Sequence, residues 1–290
     1  MNKDLCLRGV ALDGQVRFFA ASTTYLVEEA RVRHGLGVLA TAALGRTLTA
    51  TVMMGLGLKG QDELTVTFKG DGALGTVMAR ANSKGEVKGY CDHPEEELPL
   101  KENGKIDVAG GIGFGTLYVT KDMGLKDPYV GMVPIVSGEI GEDLTEYYYS
   151  SEQTLSAVGL GVLVDTDQKV LSAGGFIIQL MPGAAEEIGL LLDRRVQELP
   201  PLSAYFREHT PQQLLEHFFQ EGGYEILESS EPRFACSCSK ENYGTALLSL
   251  GKKELEELAA QDVEVVCQFC NERYLFTPEE IHGLLKEQGE

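Results

Sequence analysis

Cys236-Ser237-Cys238 and Cys267-Gln268-Phe269-Cys270 are two close pairs of thiols separated by residues 239–266, enough chain to fold back once. That pattern matches a tetrahedral thiolate site, in which four ligands stand about 2.3 Å from one soft ion with no strong geometric preference. Zinc is the expected metal, one ion per chain, held by Cys236, Cys238, Cys267 and Cys270. The plain alternative is four unrelated buried cysteines. Clustering argues against it, because four of the six cysteines of the chain fall between 236 and 270 as two pairs. A second reading makes the thiols a switch. C-x-x-C is common to zinc knuckles and redox sites, whereas C-x-C is a poorer clamp, since one intervening residue leaves little room for a turn. That arm needs support from its surroundings.

The chain has 290 residues, long enough for one sizeable core plus a small appended module. Apolar residues make up 43% of it, which excludes wholesale disorder. Its formal net charge of -19 repels a phosphate backbone or an anionic membrane surface, so neither nucleic acid nor membrane is an expected partner. The opening residues, Met1 to Cys6, lead into mixed polar and apolar sequence with no secretory pattern. A cytosolic address is expected. In a reducing compartment paired thiols are metal-bound or redox-active rather than permanent disulfides. Cys6 and Cys91 stand alone and read as small buried apolar side chains.

Outward from the cysteines, the rest of the chain reads as α+β. Leu5 to Val10 and Val16 to Ala20 flank Asp13-Gly14 as a hairpin. Ser22-Thr23-Thr24 offers an N-cap to a helix over Tyr25 to His34. A second helix, Val38 to Leu58, is almost wholly apolar, but Arg46 falls in its middle, so it reads as a buried core helix rather than a membrane span. Leu64 to Phe68 is a strand running into Gly70-Asp71-Gly72-Ala73-Leu74-Gly75, a literal dinucleotide-binding pattern. That motif works only where the glycine turn opens a helix, and Thr76 to Arg80 reads as another strand. A glycine-turned β-meander is expected, with Val87 to Tyr90 following. His93 beside Glu95, Glu96 and Glu97 reads as a solvated acidic loop. Gly110-Gly111-Ile112-Gly113-Phe114-Gly115 precedes the strand Thr116 to Thr120 with no P-loop lysine after it, and is expected to mark twisted strands and tight turns. A helix over Asp143 to Ser156 and strands over Val158 to Asp165 and Val170 to Leu180 complete a core domain, 1–183, of mixed α/β character with glycine-turned sheets and buried helices.

From residue 184 the texture becomes helical: Glu186 to Leu199, a Pro200-Pro201 break, Leu202 to Glu208, and Pro211 to Gln220 capped by Thr210. This amphipathic tract is too small to bury its own apolar faces, so it must pack on a neighbour. After Gly222-Gly223, Tyr224 to Pro232 reads as a short link. The helical linker thus spans 184–231 and a small zinc-binding domain 232–290. In that domain Ser239 to Gly251 and Lys252 to Ala260 read as helices, Val263 to Val266 and Tyr274 to Phe276 as a hairpin around the C-x-x-C, and Thr277 caps a last helix.

Cys-Ser-Cys-Ser-Lys-Glu-Asn at 236–242 and Val-Val-Cys-Gln-Phe-Cys-Asn at 265–271 resemble the redox-switch module of the heat-shock protein 33 kDa family of bacterial chaperones. Ser151-Glu152-Gln153, Gly174-Gly175-Phe176 through Gln179, and Pro182-Gly183 are similar to that family's core, so the resemblance covers the whole chain. It implies a cytosolic, ATP-independent holdase rather than an enzyme, with unfolding proteins as partners and a homodimer as the active form. It further implies that the reduced, zinc-loaded form is idle. Oxidation to disulfides Cys236-Cys238 and Cys267-Cys270, with zinc release, unfolds module and linker and exposes a client-binding surface.

Elementary energetics agree with such a switch. A module of this size has little core of its own, and structural zinc contributes about 10 to 16 kcal/mol of binding free energy that is also folding free energy. One ligand set then serves as latch and sensor. Two other readings compete with it. A thiol-disulfide oxidoreductase would use Cys267 and Cys270, but the βαβ setting is missing and the other pair would be idle. A structural zinc ribbon would serve an interaction module.

Overall fold

Leu5–Ala11 (β1) and Val16–Ser22 (β2) pair antiparallel around a turn in which Leu12, Asp13 and Gly14 all have positive φ. In this computed structural model, which describes residues 3–220 and 223–287, a helix follows over Thr24–His34 (α1), ending on Gly35 in the left-handed conformation. The expected hydroxyl cap is not used. Thr23 bonds instead to Thr49, and the buried Asp4 carboxylate accepts from the Leu26 N–H at 2.8 Å. The cap therefore comes from outside the helix, across the start of β1.

Val38–Gly55 (α2) is long and apolar enough to cross a membrane, yet 89% of it is buried within the fold. Its threonine hydroxyls are satisfied locally: Thr41, Thr47, Thr49 and Thr51 each donate to the carbonyl four residues back. Arg46 reaches Glu139 at 2.8 Å. The core-helix reading holds.

After α2 come Glu63–Gly70 (β3), Thr76–Asn82 (β4), Glu86–Cys91 (β5), Val108–Ile112 (α3), Gly115–Asp122 (β6), Tyr129–Pro134 (β7), Gly141–Ser150 (α4), Ser156–Val164 (β8) and Val170–Leu180 (β9). The tract read as linker then supplies Glu186–Gln197 (α5), Leu202–Tyr205 (α6), Pro211–Phe219 (α7) and Tyr224–Ser230 (β10), and Arg233–Phe234 (β11) follows at the start of the tract read as the zinc-binding domain. One sheet has the order β10-β1-β2-β9-β8 and the other β11-β5-β4-β3-β6-β7. Helix α2 lies between them, touching β2, β8 and β9 of the first and β3, β4 and β5 of the second. The other face of the first sheet is covered by α6 and α7. There Leu7, Phe18, Phe176 and Ile178 are buried against Leu214, Leu215, Phe218 and Phe219.

Four differences from the sequence reading have physical causes. The glycine run 110–115 overlaps a short helix, α3, capped by the Asp107 carboxylate on the Gly110 N–H. Strand β7 is an edge strand with mostly exposed side chains, so it lacked an apolar alternation. The helix expected over Asp143 to Ser156 ends at Ser150, and Ser156 already begins β8. The C-terminal end of the tract read as a helical linker is extended, with β10 paired to β1, and the first residues of the tract read as the zinc-binding domain form β11, paired in parallel with β5. Of the Gly222-Gly223 break, Gly222 lies outside the described residues.

The chain divides into two compact units, Met1–Ala235 and Cys236–Glu290. The second holds Lys240–Leu248 (α8), Lys252–Leu258 (α9), the hairpin Val263–Val266 (β12) and Arg273–Phe276 (β13), and Pro278–Glu287 (α10). Its apolar centre is small: Leu255, Ala259, Phe276 and Ile281.

Candidate metal centre

The C-x-x-C arm is built by the β12–β13 hairpin. Val266 pairs with Arg273, and the chain between them turns tightly: the Cys267 N–H donates to the Glu272 carbonyl, while Cys270 and Asn271 donate to the Cys267 carbonyl at 3.3 and 2.7 Å. Asn271 takes a left-handed φ of 59°, a conformation asparagine tolerates better than most residues. The result turns Cys267 and Cys270 inward, both buried.

The C-x-C arm has no turn of its own and is held from outside. Ser239 caps α8 directly after it, accepting from the Asn242 N–H, and the Asn242 side chain donates to the Ser237 carbonyl. The Tyr274 hydroxyl, on β13, lies 3.2 Å from both the sulfur and the carbonyl oxygen of Cys238. Tyr243 on α8 stacks at a tilt on Tyr274 and hydrogen-bonds Cys267. These two tyrosines are site residues that motif reading missed. Only the position of Tyr274 at the start of the return strand hinted at one of them.

All four sulfurs lie within 4.8 Å of one another, with Cys238 to Cys270 at 3.3 Å and Cys236 to Cys267 at 3.8 Å. A tetrahedron with 2.3 Å metal–sulfur bonds has edges of about 3.8 Å, so the spacing fits a thiolate-bound zinc. All six cysteines are free thiols. Among the described residues this is the one group of three or more His, Cys, Asp or Glu side chains arranged to hold a metal, and His93 with its glutamates is not such a group.

Electrostatics point the same way. Burial opposes ionisation of Cys267, but hydrogen bonds from Tyr243, Cys270 and the N–H groups of Phe269 and Cys270 bring it down to about 7. Cys270 is pushed upward, first by burial and then by its hydrogen bonds with the other three thiols. Four sulfurs this close ionise together only around a cation. Cys6 and Cys91 lie apart from the centre. Burial drives the Cys6 thiol far up and Cys91 to about 12, leaving both unreactive.

Residues 4–277 match the family model described as Hsp33 protein. The chain belongs to the Hsp33 family. Its relatives include proteins named 33 kDa chaperonin. That of Bacillus subtilis (strain 168) is 49% identical over 285 residues, covering 97% of this chain and 98% of the relative. That of Staphylococcus aureus (strain Newman) is 46% identical over 290 residues, covering 99% of each. The crystal structure of the 33 kDa chaperonin from Thermotoga maritima is similar with a TM-score of 0.94 at 41% identity, covering 100% of this chain and 99% of that one. Hsp33 relatives are named as chaperonins, not enzymes, and the mixed α/β fold with a C-terminal cysteine cluster agrees with the Hsp33 neighbour. The oxidoreductase alternative accordingly falls. Cys267 and Cys270 sit on a hairpin with two further thiols, not at the end of a βαβ unit.

Proposed function

We propose that this protein is a redox-controlled chaperone that holds unfolding proteins without ATP, in the cytoplasm, and acts as a homodimer. The observation that carries the proposal is the convergence of four free thiols at tetrahedral spacing in a unit whose apolar centre is only a few side chains. Cys236, Cys238, Cys267 and Cys270 would hold zinc, which when bound supplies the cross-link that keeps this unit folded. In that state the protein is idle.

Oxidation removes the thiolates. Forming Cys236-Cys238 and Cys267-Cys270 releases two electrons per bond, and each pair of electrons reduces one peroxide, with two protons, to two waters. The thiols no longer donate to a metal, so the unit loses its cross-link and unfolds. The chain immediately before Cys236 is β11, which continues from β10 and the helices α5 to α7. Loss of order running back along this tract would uncover Leu7, Phe18, Phe176 and Ile178, which the linker helices now bury. An apolar face of that kind is what a holdase presents to unfolding chains.

The test is aggregation of a model protein with the chain added before and after peroxide, with zinc release followed in parallel. Suppression is expected only after oxidation, rising with zinc release. Equal suppression in both states would remove the redox control, and suppression in neither would remove the chaperone.

A further inference from the structure

The two cysteine arms are held by opposite means. The C-x-x-C arm closes on itself, because Cys270 and Asn271 donate to the Cys267 carbonyl within one tight turn. The C-x-C arm has a single residue between its thiols, and residues 235–239 carry no regular structure. It borrows its geometry from the other arm. Tyr274 on β13 pairs with Val265, two residues before Cys267, and so belongs to the C-x-x-C hairpin. Its hydroxyl nevertheless lies 3.2 Å from the Cys238 sulfur and 3.2 Å from the Cys238 carbonyl oxygen. The Tyr274 ring rests against that of Tyr243, with centroids 5.4 Å apart, which limits how far the hydroxyl can swing.

One phenol proton thus faces two acceptors. A neutral Cys238 thiol can give its own proton to the phenol oxygen while the phenol donates to the carbonyl. A thiolate has no proton to give, so sulfur and carbonyl compete, and the charged acceptor makes the stronger bond. In the reduced, metal-holding state the Tyr274 hydroxyl therefore engages the sulfur and ties up electron density that would otherwise attack an oxidant. It also fixes where that sulfur points, beside Cys270 of the other arm at 3.3 Å. Groups that hydrogen-bond a metal ligand orient it and tune it in this way. A disulfide needs its two sulfurs about 2.05 Å apart with a defined dihedral. Cys238 must leave Tyr274 before it can meet that demand with Cys236.

Resting on the redox reading above, we infer that Tyr274 is a positioning residue that restrains Cys238 and thereby sets the rate of the Cys236-Cys238 disulfide separately from that of Cys267-Cys270. The restraint acts whichever sulfur of the pair is oxidised first. One sulfur attacks peroxide: its S–O bond forms as the O–O bond breaks, and the departing hydroxide leaves as water with the thiol proton. The other sulfur then attacks this sulfenic acid; the S–S bond forms, the S–O bond breaks, and a second water leaves with the second thiol proton. Two thiols and one peroxide give one disulfide and two waters. In either order Cys238 makes one of the two attacks, and does so with the lone pairs Tyr274 holds. The Cys267-Cys270 bond closes within the other arm and leaves that contact in place.

The experiment compares the full zinc-loaded chain with Tyr274→Phe, which keeps the ring and removes only the hydroxyl. Both are treated with hydrogen peroxide, and each disulfide is mapped by mass spectrometry over time. The ratio of the Cys236-Cys238 rate to the Cys267-Cys270 rate is expected to rise about three- to tenfold in the variant, the worth of one hydrogen bond. A residue with only a structural part would loosen the whole centre and speed both bonds alike, so an unchanged ratio overturns the inference. Tyr243→Phe is the matched variant, since that hydroxyl bonds Cys267 of the other pair. It should leave the ratio unchanged or lower it; a rise matching that of Tyr274→Phe overturns the inference, and this variant decides alone if Tyr274→Phe takes up no metal. Cobalt loaded in place of zinc gives a second readout. Its thiolate-to-metal charge-transfer absorption should move to longer wavelength in Tyr274→Phe, because the sulfur is a stronger donor without the hydrogen bond, and an unmoved band overturns the inference. Suppression of aggregation is measured on the same oxidised samples. A changed ratio without suppression removes the holdase and leaves the part of Tyr274 standing, whereas suppression with an unchanged ratio removes only the part of Tyr274.

Discussion

A Cβ on Gly72 would lie 2.5 Å from the carbonyl oxygen of Gly111, so the two glycine-rich runs of the chain are packed on each other. The N–H groups of Asp71, Gly72 and Leu74 donate to the carbonyls of Phe114, Ile112 and Gly111 at 2.9, 3.1 and 2.9 Å. These are the groups that would cradle a pyrophosphate in a dinucleotide site. They are already engaged, and β4 rather than a helix follows. Neither ATP nor NAD is therefore expected to bind saturably at micromolar concentration in calorimetry. Gly72→Ala should lower stability toward urea by about 1 to 3 kcal/mol through overpacking. Micromolar nucleotide binding abolished by that variant would contradict the packing argument.

Metal content should be one zinc per chain in anaerobically purified protein, and Cys267→Ser should lose it. Because the apolar centre of the second unit is confined to Leu255, Ala259, Phe276 and Ile281 with partly buried neighbours, chelation should unfold that unit. Hydrogen exchange is the readout. Protection in β12, β13 and α9 should vanish on chelation, while α2, buried between two sheets, keeps its own. Retained protection around the thiols after the metal is removed would mean the unit folds without it.

Asp4 gives the stability of the first unit a pH dependence. Burial lifts its carboxyl from 3.8 to about 6, and the N–H groups of Leu26, Tyr25 and Thr24 pull only partly against that. Its folded value lies above its unfolded value, so between the two the folded chain binds more protons. The contribution of Asp4 to stability is fully present below about pH 4 and is lost as pH rises through 6. The whole cost is at most about 3 kcal/mol at 1.36 kcal/mol per pH unit. Asp4→Asn keeps an acceptor for Leu26 and removes the buried charge. It should stabilise by about 1 to 3 kcal/mol near pH 8 and by almost nothing near pH 4. A gain of the same size at both values would show that charge is not the cause.

What was legible in the sequence was local. The hairpin at Asp13-Gly14, the Thr210 N-cap and the clustering of the paired cysteines each carry their signal within a few residues, and each stands where it was expected. What was not legible depends on partners far along the chain. Tyr224–Ser230 is a strand because β1, more than two hundred residues earlier, offers an edge, and its exposed side chains gave no alternation to find. Asp4 caps α1 only once β1 is in the sheet. Gly72 is small because of Gly111, and Gly161 because of Ser203. Tyr274 supports Cys238 across a hairpin that the thiol pattern alone does not describe.

The two cysteine pairs should not oxidise together. The short sulfur distances, Cys238 to Cys270 and Cys236 to Cys267, join different arms, but a tetrahedral cluster brings every sulfur near every other, so they do not choose the bonds. Backbone geometry does. A disulfide needs Cα atoms about 4.4 to 6.8 Å apart with a dihedral near 90°. Cys267 and Cys270 flank a tight turn already closed by bonds to the Cys267 carbonyl, and can meet that condition with little movement. Cys236 and Cys238 lie on an arm without regular structure, where an extended backbone sets residues two apart about 6.6 Å from each other. Closing that small ring stores strain, and strain raises the reduction potential. Cys267-Cys270 should therefore form first and loosen the site, and Cys236-Cys238 should follow only when the arm is free of the metal fold or the oxidant is stronger. A switch in two steps ignores a weak oxidative signal. A time course of peroxide treatment, with each bond mapped by mass spectrometry and zinc release followed alongside, decides the order. If Cys236-Cys238 or a bond between the arms accumulates first, ring strain does not govern this site.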